Sequence, residues 1–492
     1  MYLRASDKAT GVKNFHSAVG SKLMKGLTPP AGLEPLRFDY AASLAKPLVV
    51  GVLGFGRQGQ RLVANVNPKF IKVQAIADVR PSNRKRAEEV AKDAHFHDTY
   101  EKLLAAAKAD GLEAVVIALP SHLHAPAALA ALEAGLHVFV EPPMALKVLD
   151  AKHLARKAAE KNLCLAVGQQ RRYSRIYDQA LKMIGANLLD DVHYLRSQWH
   201  VALPEKMTGK TATAGEARID WWQDVPAEDA KLSVPGYGSP DELLHWQFYE
   251  NYSGGLVAEL GSQLFDVAAL FVAAMPNHDP QRPYPLSVAG AGSQTLRQAQ
   301  GDIDDHVHCI FEYAIQGYVV AKEVPPKARK KIALQFDMIL GSDFDGYGEI
   351  VLGRQGSLVL EDEQRPMLFH TTDVDKSLRV VEKKNAKGVP AIAVPKDGKA
   401  DEESEARGMQ ALHGADAGFA AELENWACCC KPGTRERVAD GKSKSKLGSD
   451  AQAGVYTTVL TVAATNAVRL QTRVDFKDAW FDVKSDETPD GL

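Results

Sequence analysis

Residues Pro47 to Asp78 constrain the fold of this chain more than any other stretch. Pro47-Leu48-Val49-Val50-Gly51-Val52-Leu53 is a near-continuous apolar run, the pattern of a parallel strand buried on both faces. Gly54-Phe55-Gly56-Arg57-Gln58-Gly59 follows at once, then a helical segment from Gln60 to Asn65, then a second apolar strand, Ile71 to Ala77. That strand ends in Asp78, nineteen residues beyond Gly59. Strand, glycine turn, helix and terminal acid at this distance make a dinucleotide-binding unit. Gly54 serves the tight turn, Gly56 lets backbone approach a pyrophosphate, and Gly59 lets helix and strand pack closely. Phe55, Arg57 and Gln58 complete the turn, and the helix N-terminus presents N–H groups and a positive dipole end to the phosphates. Asp78 can accept both ribose hydroxyls. Its carboxylate would repel a 2′-phosphate, so the expected cofactor is NAD, with NADP disfavoured although Arg80 and Arg84 lie close by.

The alternation of strand and helix continues to residue 168. Glu113 to Leu119, Leu136 to Val140 and Leu163 to Val167 are further buried strands, separated by helical segments at Ser82–Ala94, Ala125–Ala134 and Leu149–Lys161. Repeated βα units predict a doubly wound parallel sheet, with ligands at the carboxyl ends of its strands. Leu119, Pro120, His122 and His124 follow one such end, Glu141 and Pro142 a second, and Gln170 a third, so all are candidate cofactor contacts.

From about residue 174 the pattern changes. One helix leads into segments with period-two character at Val192–Trp199, His306–Tyr313, Tyr318–Lys322, Ile332–Leu340, Glu349–Leu352 and Ser357–Leu360. The expected class is therefore α/β: a doubly wound domain (46–168) behind an N-terminal arm (1–45), followed by an α+β domain (169–492) with a large, mostly antiparallel open sheet free of parallel crossovers. Such a sheet needs cover from a helix or a second subunit. The proline-rich arm lies either on its own subunit or across a neighbour. Residues 201–245 form a long polar excursion suited to a lid or specificity loop. Residues 393–412 and 435–446 read as charged surface loops, and Ala451–Arg469 as a final helix.

A net charge of −3 implies no general affinity for nucleic acid. No run approaches the roughly 20 apolar residues of a membrane span, and Met1–Lys25 has no apolar core of a signal peptide, so a cytoplasmic location without membrane partners is expected. Five cysteines, three of them the run Cys428-Cys429-Cys430 near a helix end, form neither a disulfide framework nor a metal site.

Gly254-Gly255 opens an apolar helix that carries Glu259, Gln263 and Asp266 at i, i+4 and i+7, a spacing that places them on one face. Polar residues in register on an apolar helix point to a site.

These motifs, taken in order, resemble the Gfo/Idh/MocA oxidoreductase family over residues 46–480. The resemblance rests on Gly54 to Gly59, Asp78, Leu119 to His124, Glu141-Pro142-Pro143-Met144-Ala145, Gln170 to Tyr173, and Gly254 through Asp266. It implies a Rossmann domain, a C-terminal open sheet that makes dimers or tetramers, and NAD(P)-linked oxidation or reduction of sugars and polyols. The arm is similar to one that helps retain the nucleotide in glucose–fructose oxidoreductase. Two departures matter. The family's Glu-Lys-Pro lysine is replaced by Pro142, and the histidine of the second-domain helix by Gln263. Proline and glutamine cannot take the proton that leaves a hydroxyl when hydride leaves its carbon. The remaining candidates are Glu259, His200, His245 and Tyr173, with Asp266 as orienting group; Lys147 is too far along the chain. Three functions follow: a dehydrogenase with Glu259 as base, a redox-neutral sugar enzyme (glycosidase, lyase or epimerase) with retained NAD, or a non-catalytic nucleotide-binding protein.

Overall fold

The computed structural model describes residues 44–202, 221, 224–296, 301–318, 330–342, 344, 346–361, 363, 365–370, 377–379, 381–384, 390–393, 414–431 and 447–492. The arm up to residue 43, residues 203–220 of the polar excursion, the expected strand residues 319–322, and the stretches 394–412 and 435–446 lie outside these.

Six parallel strands form the first sheet: β1 (Leu48–Leu53), β2 (Ile71–Ala77), β3 (His95–His97), β4 (Ala114–Ile117), β5 (His137–Val140) and β6 (Leu165–Val167), in the order β3-β2-β1-β4-β5-β6. The strand order reverses beside β1, so β1 and β4 diverge into a crevice at their carboxyl ends. The short edge strand β3 was not anticipated; three residues carry too little pattern.

Among the described residues the second sheet has nine strands: β7 (Val192–Val201), β8 (Ser287–Ser293), β9 (His306–Ala314), β10 (Lys331–Leu340), β11 (Tyr347–Gly353), β12 (Gly356–Glu361), β13 (Arg365–His370), β14 (Ser377–Arg379) and β17 (Val474–Asp475). A separate pair, β15 (Val381–Lys384) and β16 (Pro390–Ala393), stands apart. The sheet is mostly antiparallel, as expected, but β7 and β10 pair in parallel, so a crossover exists where none was expected. One face is covered: Phe265 of the helix Ser262–Ala274 packs edge-on against Phe336 of β10, with ring centroids 4.8 Å apart. Helix residues Glu250–Ala274 are long and apolar enough to cross a membrane by composition, but 72% of their most apolar window is buried inside the protein. That makes them a core element.

Two late helices bind the parts together. In the helix Gly414–Cys430, Phe419, Leu423, Trp426 and Cys430 recur at helical spacing and share a core with Val50, Val52, Val116 and Phe139 of the first sheet. Burial of a side chain such as Trp426 contributes about 2–3 kcal/mol. Lys431 closes this helix against Glu113, 2.6 Å away. The helix Ala451–Leu470 is capped by Asp450, whose backbone bridges to Ala166 of β6. All five cysteines are buried thiols. The C-terminal tail is held by fully buried Lys152, whose ammonium donates to the carbonyls of Ala479, Ser485 and Glu487 at 2.8–3.0 Å.

Candidate active site

The glycine turn at the mouth of the crevice has the geometry its spacing implies. Gly54 has φ +91°, and a Cβ there would stand 2.4 Å from the Ala118 carbonyl oxygen. At Gly59 a Cβ would fall 2.1 Å from the Gly54 carbonyl oxygen, so only glycine lets helix and strand approach. At Gly56 a Cβ would meet nothing within 4 Å, which is open space for an approaching pyrophosphate. The helix Arg57–Ala64 starts from Gly56 without a side-chain cap, so its N-terminal dipole end suits an anion. Asp78 ends β2 beside the turn. Its carboxylate accepts from the backbone N–H of Phe55 (2.7 Å) and Arg80 (2.8 Å) and from the Asn83 amide (3.1 Å). Burial pushes its carboxyl above the usual range, against the pull of those donors. The glycine turn and the uncapped helix start fit a dinucleotide, and Asp78 stands beside them at the end of β2.

The second half of the site comes from the other domain. Between Gly254 and Gly255, both at φ +74°, and the helix Ser262–Ala274 lies a π-helical turn, Val257–Gly261. Such turns insert an extra residue and re-aim side chains, often at functional sites. Here the turn carries Glu259 to the end of β4, where Ser121 Oγ donates to Glu259 Oε1 at 2.7 Å. Burial pushes the Glu259 carboxyl up to about 8, with the Ser121 hydrogen bond pulling the other way. A proton acceptor that titrates near neutrality thus stands at the crevice. Gln263 is half-buried one turn further on.

A wall of rings completes the opening. His122 lies 5.0 Å from the Tyr252 ring and 5.7 Å from the Tyr237 ring, centroid to centroid. Burial lowers the His122 pKa, keeping it neutral. The Tyr252 hydroxyl in turn lies between two acceptors, the Gly236 carbonyl oxygen at 2.7 Å and a Glu242 carboxylate oxygen, which share its one proton. Such rings suit the apolar face of a cyclic polyol.

Several candidates sit elsewhere. Tyr173 is a bolt between elements: its hydroxyl donates to Asn425 Oδ1 at 3.0 Å and accepts from the Gly448 N–H at 3.0 Å. His200 falls on the outer face of the second sheet. It pairs in register with Ile339, whereas its neighbour Trp199 pairs with Met338 on the covered face. Its Nδ1 lies 2.6 Å from the Phe344 carbonyl oxygen. Asp266 does not orient Glu259; it holds Arg172 through two oxygens at 2.6–3.1 Å. Gln170 turns away from the cofactor side into a buried contact with Glu363 at 3.3 Å. His124 is buried between the carbonyl oxygens of Leu119 and Pro143, each 2.8 Å away, and clamps two loops rather than facing a ligand. His245 is paired with Asp241 at 3.1 Å, and Lys147 is exposed at the start of the helix Val148–Glu160. Leu119, Pro120 and Pro142 remain at strand ends flanking the crevice.

Sequence reasoning missed Ser121 as the partner of Glu259. It also missed the second acid beside Glu141. Gln58 Nε2 donates to Glu141 Oε2 at 3.0 Å, while Glu141 Oε1 and both carboxylate oxygens of Glu422 are buried without a hydrogen-bond partner among the described residues. Burial pushes Glu141 up to about 8, with Gln58 and Arg61 opposing. Glu422 is raised well above the usual carboxyl range, by burial and then by the charge of Glu141. Both acids hold protons more tightly in the folded chain than when unfolded. For Glu141 the stabilising contribution is therefore complete below about pH 4.5 and is lost as pH rises through about 8, and that of Glu422 is lost in the same direction. The thermal midpoint is expected to fall between pH 6 and pH 9, and Glu422→Gln to flatten that fall by removing one buried charge. Differential scanning calorimetry across this range checks it; an unchanged slope in the variant would sink the assignment.

Residues 48–169 match the model described as "Oxidoreductase family, NAD-binding Rossmann fold". The chain is 28% identical over 156 residues to scyllo-inositol 2-dehydrogenase (NADP(+)) of Bacillus subtilis, a match covering 32% of this chain and 42% of that protein. It is 25% identical over 287 residues to levoglucosan dehydrogenase of Pseudarthrobacter phenanthrenivorans, covering 54% and 65%. The chain thus spans less than half the length of the first of these curated relatives and under two thirds of the second. In overall fold it is similar to the crystal structure of an inositol dehydrogenase homologue from Azotobacter vinelandii complexed with NAD+. The TM-score is 0.60 at 16% identity, over 88% of this chain and 98% of that one.

Proposed function

We propose, for a chain that belongs to the Gfo/Idh/MocA oxidoreductase family, that it moves hydride between NAD and a hydroxyl-bearing carbon of a cyclic sugar or polyol. The observation that carries the reading is the 2.7 Å contact between Ser121 and Glu259, which puts a carboxyl of raised pKa across the crevice from the glycine turn. NAD, when bound, supplies the hydride acceptor. The chain's own residues do the rest. The glycine turn and helix Arg57–Ala64 hold the pyrophosphate, and Asp78 holds the ribose. The rings of His122, Tyr237 and Tyr252 stack on the substrate and exclude water. Glu259, steadied by Ser121, accepts the hydroxyl proton in place of the missing lysine and histidine. A polyol substrate class accords with the inositol and levoglucosan dehydrogenases among its relatives.

One observation favours the redox-neutral reading as a second choice. The segment 229–237 is tied at one end to Arg80 and Ser82 and at the other to His122, so it runs along the edge of the crevice where it would hinder cofactor exchange. A single experiment separates the readings. The purified protein is denatured, its released nucleotide counted, and NADH production followed over a panel of cyclitols and anhydrosugars. The dehydrogenase reading expects substrate-dependent NADH at multiple turnovers. Stoichiometric retained nucleotide, with substrate consumed and no net NADH, would replace it with the redox-neutral one. The absence of turnover on every substrate would favour a non-catalytic protein.

The reading includes a homo-oligomer built on the outer face of the nine-stranded sheet, where Ile310 is exposed. A monomer by sedimentation would remove that part.

A further inference from the structure

Asp229 belongs to the polar excursion, yet it is buried, at 3% exposure, against the first domain. Its Oδ1 accepts from the Ser82 N–H at 3.0 Å, and its Oδ2 accepts from the Ser82 hydroxyl at 2.6 Å and from Arg80 Nε at 2.9 Å. Arg80 and Ser82 open the helix Pro81–Val90, two and four residues past Asp78. A guanidinium, a hydroxyl and a backbone N–H at a helix N-terminus are the donors a phosphate monoester requires. They converge beside the acid placed for the adenosine ribose, and a carboxylate of this same chain already occupies them.

We propose that Asp229 fills the niche a 2′-phosphate would need, so that the chain rejects NADP by occupancy as well as through Asp78. The inference rests on the dinucleotide reading above. Two physical effects enter. The Arg80 Nε–H and both Ser82 donors are already engaged by Asp229, so a phosphate cannot use them unless it displaces that carboxylate. A buried anion within hydrogen-bond reach of the niche also repels a second one. Burial alone would raise the Asp229 carboxyl, but the Ser82 and Arg80 hydrogen bonds outweigh it and hold the group below its usual range. The niche therefore stays anionic throughout the neutral range. A purely structural role, pinning the excursion to the first domain, makes a different prediction: both nucleotides would respond alike to its loss.

The test uses the full chain, freed of carried nucleotide, with NADH and NADPH titrated separately by fluorescence. Asp229→Gly vacates the niche, and Asp229→Asn keeps the size and one of the two acceptor oxygens but drops the charge. In Asp229→Gly the NADPH dissociation constant is expected to fall about tenfold or more, with that of NADH changed by less than about threefold. Asp229→Asn should move the same way by a smaller factor, and decides the matter if the glycine variant does not fold. Adding Arg80→Ala to Asp229→Gly should abolish the gain. A parallel weakening of both nucleotides, or no change in their ratio in either variant, overturns the proposal. A wild-type chain that binds neither nucleotide overturns the dinucleotide reading itself, and the proposal with it.

Discussion

Replacing Glu259 by glutamine is expected to lower turnover by about 10²–10⁴-fold, the usual contribution of a positioned base, while NADH binding stays unchanged. The amide keeps an oxygen for the Ser121 hydroxyl, so the 2.7 Å contact and the local fold can persist. What is lost is the ability to take a proton. The pH profile gives an independent readout. Burial pushes the Glu259 carboxyl up to about 8. In the oxidation direction the base must be ionised, so kcat/KM should rise with pH through about 8 and level above it. In the reduction direction the protonated form is required, and the rate should fall over the same range. Both limbs should vanish in Glu259→Gln. Ser121→Ala supplies a finer check. The serine donates to the carboxylate and so favours its ionised form; its removal should shift the limb to higher pH without abolishing it. A variant Glu259→Gln that turns over at the wild-type rate would exclude the role.

The residues that were legible in the sequence are those whose reasons are local. Gly54 and Gly59 answer to atoms within one strand–turn–helix unit, and Asp78 to the end of the next strand. The outward turn of His200, which the sequence reading took for a candidate base, follows from strand parity once β7 is extended to Val201. Leu195 and Val201 share a parity along β7 and both point into the core, so the residue before Val201 must point out. Helix Gly414–Cys430 carried its own signal, the apolar stripe Phe419, Leu423, Trp426 and Cys430. The remainder is non-local. Tyr173 is fixed by Asn425 and Gly448, more than 250 residues away, and Asp229 meets Arg80 only because the excursion folds back. The register of Glu259 depends on a π-helical turn that the polar spacing alone could not show. Periodicity fixes which side of an element faces inward. It does not say which distant chain segment arrives there.

That distinction bears most heavily on Arg171, which the motif around Gln170 to Tyr173 made look like part of a cofactor loop. The side chain is instead buried inside the second domain. Its Nε donates to Glu363 at 2.9 Å and a terminal nitrogen to Glu349 at 3.4 Å, over the rings of Trp199, Tyr347 and Tyr177. Tyr177 donates a second hydrogen bond to Glu349 at 3.1 Å. Arg171→Met would leave both acids buried without their cation. The expected cost is about 3–5 kcal/mol, the range for breaking one partner out of a buried ionic cluster, and it should appear as a large drop in thermal midpoint. The pH dependence separates loss of charge from loss of packing. Burial already pushes Glu349 up to about 7 against the pull of Arg171. Without the arginine its pKa must climb further, so lowering the pH neutralises the orphaned acid and recovers stability. The deficit of the variant should therefore shrink from pH 8 to pH 6, and adding Glu349→Gln to it should recover part of the loss at pH 8. A deficit that is equal at both pH values would mean that Arg171 acts through its contacts with the rings, and that the second domain is held together there by packing rather than by charge.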